Sequence, residues 1–159
     1  MTHLKSTAVG LALAAALTLP TAARATTVAE DPPWVQELTS HVQQAVHSDA
    51  QCNNAHEVGD DSGTGAYCTK AAGQWGMIAV EMLEAPKHPY HVAGGWPSAR
   101  TSMAWDLMLA AEARSKYNRP AAFAQANSAL AILKDVSNRY PADAEPRLMR
   151  RVRELIATF

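Results

Sequence analysis

Near its middle the chain carries a stretch with no wide polar face, ARTSMAWDLMLAAEARSKY at residues 99–117. The centre of this stretch is nearly apolar and contains Met103, Ala104, Trp105, Leu107, Met108, Leu109, Ala110 and Ala111. Ser98 is a suitable N-cap in front of it. Because a helix without a wide polar face is normally the most buried one of its domain, we predict that residues 99–117 form the central helix of an all-α fold.

Apolar residues at helical spacing flank this stretch on both sides, and no segment has the alternation of a strand. The pattern predicts four further helices, over 33–48, 66–84, 120–140 and 144–158. Because the turns at 118–120 and 141–143 are short, the helices that they join must lie antiparallel. The predicted fold is therefore a single-domain bundle of about five helices, packed as antiparallel hairpins.

The segment 125–143 resembles the second half of a tetratricopeptide repeat, on the residues Ala129, Leu133, Val136 and Pro141. Pro120 lies where the first helix of such a repeat would have to continue. No second copy occurs at the required period, and about three copies are normally needed for stability. The resemblance therefore implies an alanine-rich helical hairpin and no particular function.

Two segments rich in turn-forming residues, 49–65 and 85–99, are predicted to be loops. Cys52 lies in the first loop and Cys68 shortly after it, and they are the only two cysteines of the chain. An even pair of cysteines predicts a disulfide in an exported protein, and residues 1–25 indicate export. In the entropy model, closing a loop of this size stabilises the fold by about 3 kcal/mol. We expect the bond to tie the end of the first helix to the start of the second and so to hold the loop 49–65 against the bundle.

Gly73 and Gly76 interrupt the apolar pattern of the predicted helix 66–84, in which Tyr67, Ala71, Trp75, Ile78 and Met82 repeat at helical spacing. Each glycine costs about 1 kcal/mol of helix propensity relative to alanine. We expect close packing of a neighbouring helix to offset this cost, with a helix kink as the alternative.

Residues 1–25 have the three-part layout of a secretory signal peptide. A positive start precedes the apolar run 8–19, and small residues at 23 and 25 provide a cleavage site. The apolar run is too short to span a bilayer. We predict cleavage near Thr26 and a periplasmic or secreted domain over 26–159, without a membrane anchor.

Charge is spread unevenly along the chain, whose formal net charge is -1. Residues 26–99 contain nine acidic and two basic side chains, whereas residues 100–159 contain ten basic and six acidic ones. Either the two halves pack together and their opposite charges partly cancel, or the surface is dipolar and steers a charged partner. A net-acidic exported protein is a poor candidate for binding nucleic acid.

No motif of a known chemistry stands out in the chain. There is no Gly-x-Ser-x-Gly elbow, no Cys-x-x-Cys pair and no haem attachment site. Residues 60–65 have the composition of a calcium loop but not its alternating ligand order, and are predicted to form a turn. We therefore expect a protein that is not an enzyme and carries no cofactor.

Two sets of loop residues are candidates for binding. Tyr90 and Trp96 lie in a rigid, proline-rich loop, where exposed aromatic rings suit a protein partner; the structural alternative is that Trp96 folds back over the end of the bundle. A metal site is the second candidate, built from the side chains of His56, Glu57, His88 and His91. The function expected is the binding of another protein, as by an inhibitor, immunity protein or adaptor, with metal or small-ligand binding as the alternative.

Overall fold

The computed structural model describes residues 33–84 and 95–159, and every regular element within these ranges is helical. The predicted all-α class with five α-helices is confirmed there, and the predicted signal peptide lies outside the described residues. The elements in chain order are α1 (Pro33–Glu57), α2 (Asp61–Glu84), α3 (Gly95–Arg114), α4 (Arg119–Arg139), a short 3-10 turn (Pro141–Asp143) and α5 (Pro146–Ile156).

Consecutive helices run antiparallel, because residues near the start of one contact residues near the end of the next. His41 of α1 pairs with Glu81 of α2 at 2.7 Å. Lys116, just beyond α3, pairs with Asp61 at the start of α2 at 2.8 Å. Arg119 at the start of α4 donates hydrogen bonds to the carbonyl groups just after α5.

The predicted loop 49–65 is wrong, because α1 continues to Glu57 and α2 already begins at Asp61. Only residues 58–60 form the turn. Cys52 and Ala55 are buried, and their packing outweighs the weak helix propensity of the asparagines between them. The predicted turn at 60–65 is the capped first turn of α2, since the Asp60 carboxylate accepts a hydrogen bond from the backbone N–H of Gly63 at 2.9 Å.

Gly59 ends α1 by adopting the left-handed conformation, with φ of 75°. Its N–H donates to the carbonyl of His56 at 3.2 Å, and the next N–H, of Asp60, donates to the carbonyl of Ala55 at 2.9 Å. These two bonds form a Schellman motif, which satisfies carbonyl groups that the end of a helix leaves free. The chain can therefore reverse direction within three residues.

The prediction of a central α3 is confirmed, since this helix contributes to all three apolar clusters of the described residues. Eleven of its residues are buried. It begins at Gly95 rather than at Ala99, so the sequence-based start was one turn too late. The largest cluster joins α3 to α4 and α5 around the two cysteines, and includes Met108, Leu109, Ile132, Leu133, Leu148 and Val152.

The two helix glycines of α2 lie in different surroundings. A Cβ atom at Gly76 would meet the Met103 side chain of α3 at 3.5 Å, which is ordinary contact, whereas one at Gly73 would meet nothing within 4 Å. The close packing expected at both positions is therefore wrong for Gly73. This glycine lies on the open surface of the helix.

Replacing Gly59 and Gly73 by alanine should change stability in opposite directions. Gly73→Ala should raise the free energy of unfolding by about 1 kcal/mol, because alanine favours the helix and meets no neighbour. Gly59→Ala should lower it by about 1–2 kcal/mol, because the left-handed conformation strains an L side chain. Urea unfolding of the oxidised protein measures both values, and a shift of the same sign in the two variants would contradict this account.

Candidate functional site

The predicted disulfide is present between Cys52 and Cys68, with an S–S distance of 2.05 Å. Both sulfur atoms belong to fully buried side chains in the largest apolar cluster. The expected tie between the end of the first helix and the start of the second is confirmed, because Cys52 lies in α1 and Cys68 in α2. The expectation that the bond closes a surface loop is wrong, because both cysteines are within the helices.

A buried carboxyl group, which sequence reasoning missed, lies beside this disulfide. Asp106 of α3 has no exposed surface, and its Oδ1 atom lies 3.6 Å from Sγ of Cys52. Its Oδ2 atom makes no hydrogen bond of ordinary geometry in the described part of the chain. Burial, with the nearby charge and side chain of Asp49 as further causes, raises the pKa of Asp106 to about 9. The signal in the sequence was an aspartate in the middle of the most apolar helix.

Trp96, a predicted partner-binding residue, lies in the first turn of α3 and is only 5% exposed. Its ring is 5.5 Å from that of Tyr140, and the guanidinium groups of Arg100 and Arg139 both lie 5.5 Å from its centroid. Asp135 pairs with both arginines, at 3.9 Å and 2.8 Å. This burial favours the structural alternative, in which Trp96 covers the end of the core. Tyr90, the other predicted partner residue, lies outside the described residues.

The four predicted metal ligands are not brought together in the described residues. His56 and Glu57 are exposed on the last turn of α1, rather than in a loop, and His88 and His91 lie outside the described ranges. Within residues 33–84 and 95–159 no group of three or more histidine, cysteine, aspartate or glutamate side chains is placed to hold a metal ion. The metal site stays a prediction.

The outward face of α2 carries large apolar side chains that the core does not use. Met77 and Val80 are each more than half exposed, and Tyr67, which the spacing assigned to the core stripe, is 42% exposed. Buried residues such as Cys68, Ala72 and Trp75 lie on the opposite side of the helix. We call this surface the α2 face and define it by Ala66, Tyr67, Lys70, Gly73, Met77 and Val80.

A polar groove between α1 and α2 borders the α2 face. It is lined by hydrogen-bonding side chains, which are Ser40, Gln43, Gln44, His47, Ser48, Lys70 and Gln74. Oε1 of Gln74 is buried and has no hydrogen-bond donor among the described residues. Lys70, which belongs to both the groove and the α2 face, makes no ion pair with any described residue.

Comparison with known proteins finds no matching family, no similar characterised protein and no similar solved structure. Among the helices of residues 33–84 and 95–159, none is both long enough and apolar enough to cross a membrane.

Removing the disulfide should destabilise the fold without abolishing its helices. In the entropy model, a cross-link that closes a loop of about 15 residues contributes about 3 kcal/mol. We expect Cys52→Ala combined with Cys68→Ala to lower the free energy of unfolding by about that amount, measured with urea. A reducing agent should weaken the wild type and leave the double variant unchanged. Equal stability of the two proteins under oxidising conditions would contradict the structural role of the bond.

Proposed function

We propose that this chain is an exported, non-enzymatic helical protein that binds another protein through the α2 face. The observation that carries the proposal is the row of exposed apolar side chains on a helix that is fixed by its neighbours. The Cys52–Cys68 bond supports export, because such bonds persist mainly in oxidising compartments. The signal-peptide layout of residues 1–25 supports it independently.

The shape of the α2 face fits one helix of a partner protein. From Tyr67 to Val80 the helix advances about 20 Å, which corresponds to about four turns of a partner helix. The surface above Gly73 is open, with nothing within 4 Å of a Cβ built there, so a partner backbone can come close. Amphipathic helices bind such surfaces with apolar residues three and four positions apart. An acidic residue on that helix would pair with Lys70.

The helix that carries this surface is linked to its neighbours on both sides. The disulfide ties it to α1, while Asp61 at its start pairs with Lys116 after α3. Further along, the Gln125 amide of α4 donates a hydrogen bond to the Thr69 hydroxyl at 3.0 Å. A surface that is ordered before binding spares the complex part of the entropy cost of association.

The proposal predicts that two negative charges on the α2 face weaken partner binding. Met77→Glu combined with Val80→Glu replaces the two most exposed apolar side chains of that face and should weaken binding at least tenfold, about 1.4 kcal/mol. Val58→Glu is the matched control, because Val58 is 71% exposed in the turn after α1, away from the α2 face. The measurement is affinity for a partner first captured by a photo-crosslinking residue at position 77 in periplasmic extract.

Two results would contradict the proposal. One is equal binding of the captured partner by the wild type, the double variant and Val58→Glu, provided that circular dichroism shows all three to be folded. The other is that position 77 crosslinks only to a second copy of the chain, which would make the α2 face a self-association surface.

Tyr90→Ala in the same assay tests the loop anchor predicted from the sequence.

A further inference from the structure

The contact between Asp106 and the disulfide becomes a hydrogen bond only if the carboxyl group carries a proton. A sulfur atom in a disulfide has no hydrogen to donate, and an ionised carboxylate only accepts. Oδ1 lies 3.6 Å from Sγ of Cys52, and it can donate a hydrogen bond to that sulfur atom when Asp106 is the neutral acid. The neighbouring acidic group is Asp49 of α1, which is only partly buried. The main cost of ionising Asp106 is therefore the burial of its charge, and repulsion by Asp49 adds to that cost.

Among the described residues, no basic group offsets that repulsion. From α1 the ionisable neighbour is Asp49, and α2 presents Cys68, which is bonded and does not titrate. The α4 and α5 residues clustered against this part of α3 are apolar, namely Ala129, Ile132, Leu133, Leu148 and Val152. The charged groups of α3 nearest to Asp106 along the helix are already paired, Glu112 with Arg151 at 2.9 Å and Arg100 with Asp135 at 3.9 Å. The charge state of Asp106 is thus set by burial and by Asp49.

We propose that Asp106 is a proton-operated latch that holds α1 against α3 through its contact with Cys52. The latch is closed while Asp106 carries its proton, and it loosens when this buried carboxyl group ionises. Because the disulfide keeps α1 tied to α2, opening moves α1 relative to α3 and leaves the apolar packing of α3 on α4 and α5 in place. The fold therefore responds to the pH of its surroundings at one buried position.

The direction of the pH effect follows from linkage. In the unfolded chain Asp106 has the ordinary pKa of 3.8, whereas burial raises the pKa in the folded protein to about 9. The folded state then holds one more proton than the unfolded state between these two values. The stabilisation that Asp106 contributes is complete below about pH 4 and is lost as the pH rises towards about 9. Over this range the unfolding equilibrium constant rises by up to about tenfold per pH unit.

The test compares urea unfolding of the disulfide-bonded protein between pH 4.5 and 9.5 for the wild type, Asp106→Asn and Asp143→Asn. The amide of the Asp106→Asn variant cannot ionise, so the ratio of wild-type to variant unfolding constants should rise by up to about tenfold per pH unit. Asp143→Asn removes one exposed carboxyl group from the 3-10 turn and should follow the wild type. Parallel curves for the wild type and Asp106→Asn would overturn the proposal.

Two measurements distinguish the latch from a merely structural role of Asp106. In the wild type, the carboxyl carbon resonance of Asp106 should titrate far above neutral pH, and Asp49→Asn should lower its midpoint. In the wild type, amide exchange over residues 45–56 of α1, divided by the intrinsic rate at each pH, should accelerate before that of α4. Titration of Asp106 near its ordinary pKa, or a ratio of α1 to α4 exchange that does not change with pH, would overturn the proposal even if Asp106→Asn failed to fold.

Discussion

The structure depends on the burial of α3, a helix whose middle turns are apolar on almost every side. Such a helix cannot remain in water, and hydrophobic burial forces other helices to cover it from several sides. It contributes Trp96 and Ala99 to one cluster, Met108 and Leu109 to another, and Ala111 to the third. The alanines let neighbouring helices approach closely, while leucine, isoleucine and methionine fill the wider spaces.

The disulfide and Asp106, the buried acidic side chain of the described residues, meet where α1 joins the rest of the molecule. The disulfide fixes α1 on α2, and Asp106 reaches the same position from α3. The disulfide holds two of the helices whatever the protonation state of their side chains, whereas the buried carboxyl group stabilises its contacts only while it is neutral. The position of α1 therefore rests on one covalent link and one that depends on pH. Apolar contacts of α1 with the core add to these links, through Ala45 and its neighbours Leu38 and Val42.

Two features stand out among the residues around this core, the surroundings of Trp96 and the α2 face, and they differ in character. At one end, Trp96 is enclosed by two arginines that a single aspartate holds in place, so its ring is used for packing. On the α2 face, apolar side chains are left in water because α1 and α3 cover only the other sides of the helix. The uneven charge along the chain is partly cancelled in the fold, since Asp61 of the acidic half pairs with Lys116 of the basic half. Exposed pairs of this kind add little stability.

The helical class, the central position of α3, the disulfide and the start of α4 near Pro120 could all be predicted from the order of the residues. These features follow from periodicity, composition and turn chemistry, which act over a few residues. The helical state of residues 49–57, the exposure of Tyr67 and the burial of Trp96 and Asp106 emerged only when the helices were packed together. Each of these depends on which neighbours cover a residue. Helical spacing shows which side chains share a face, but not which face the rest of the chain will cover.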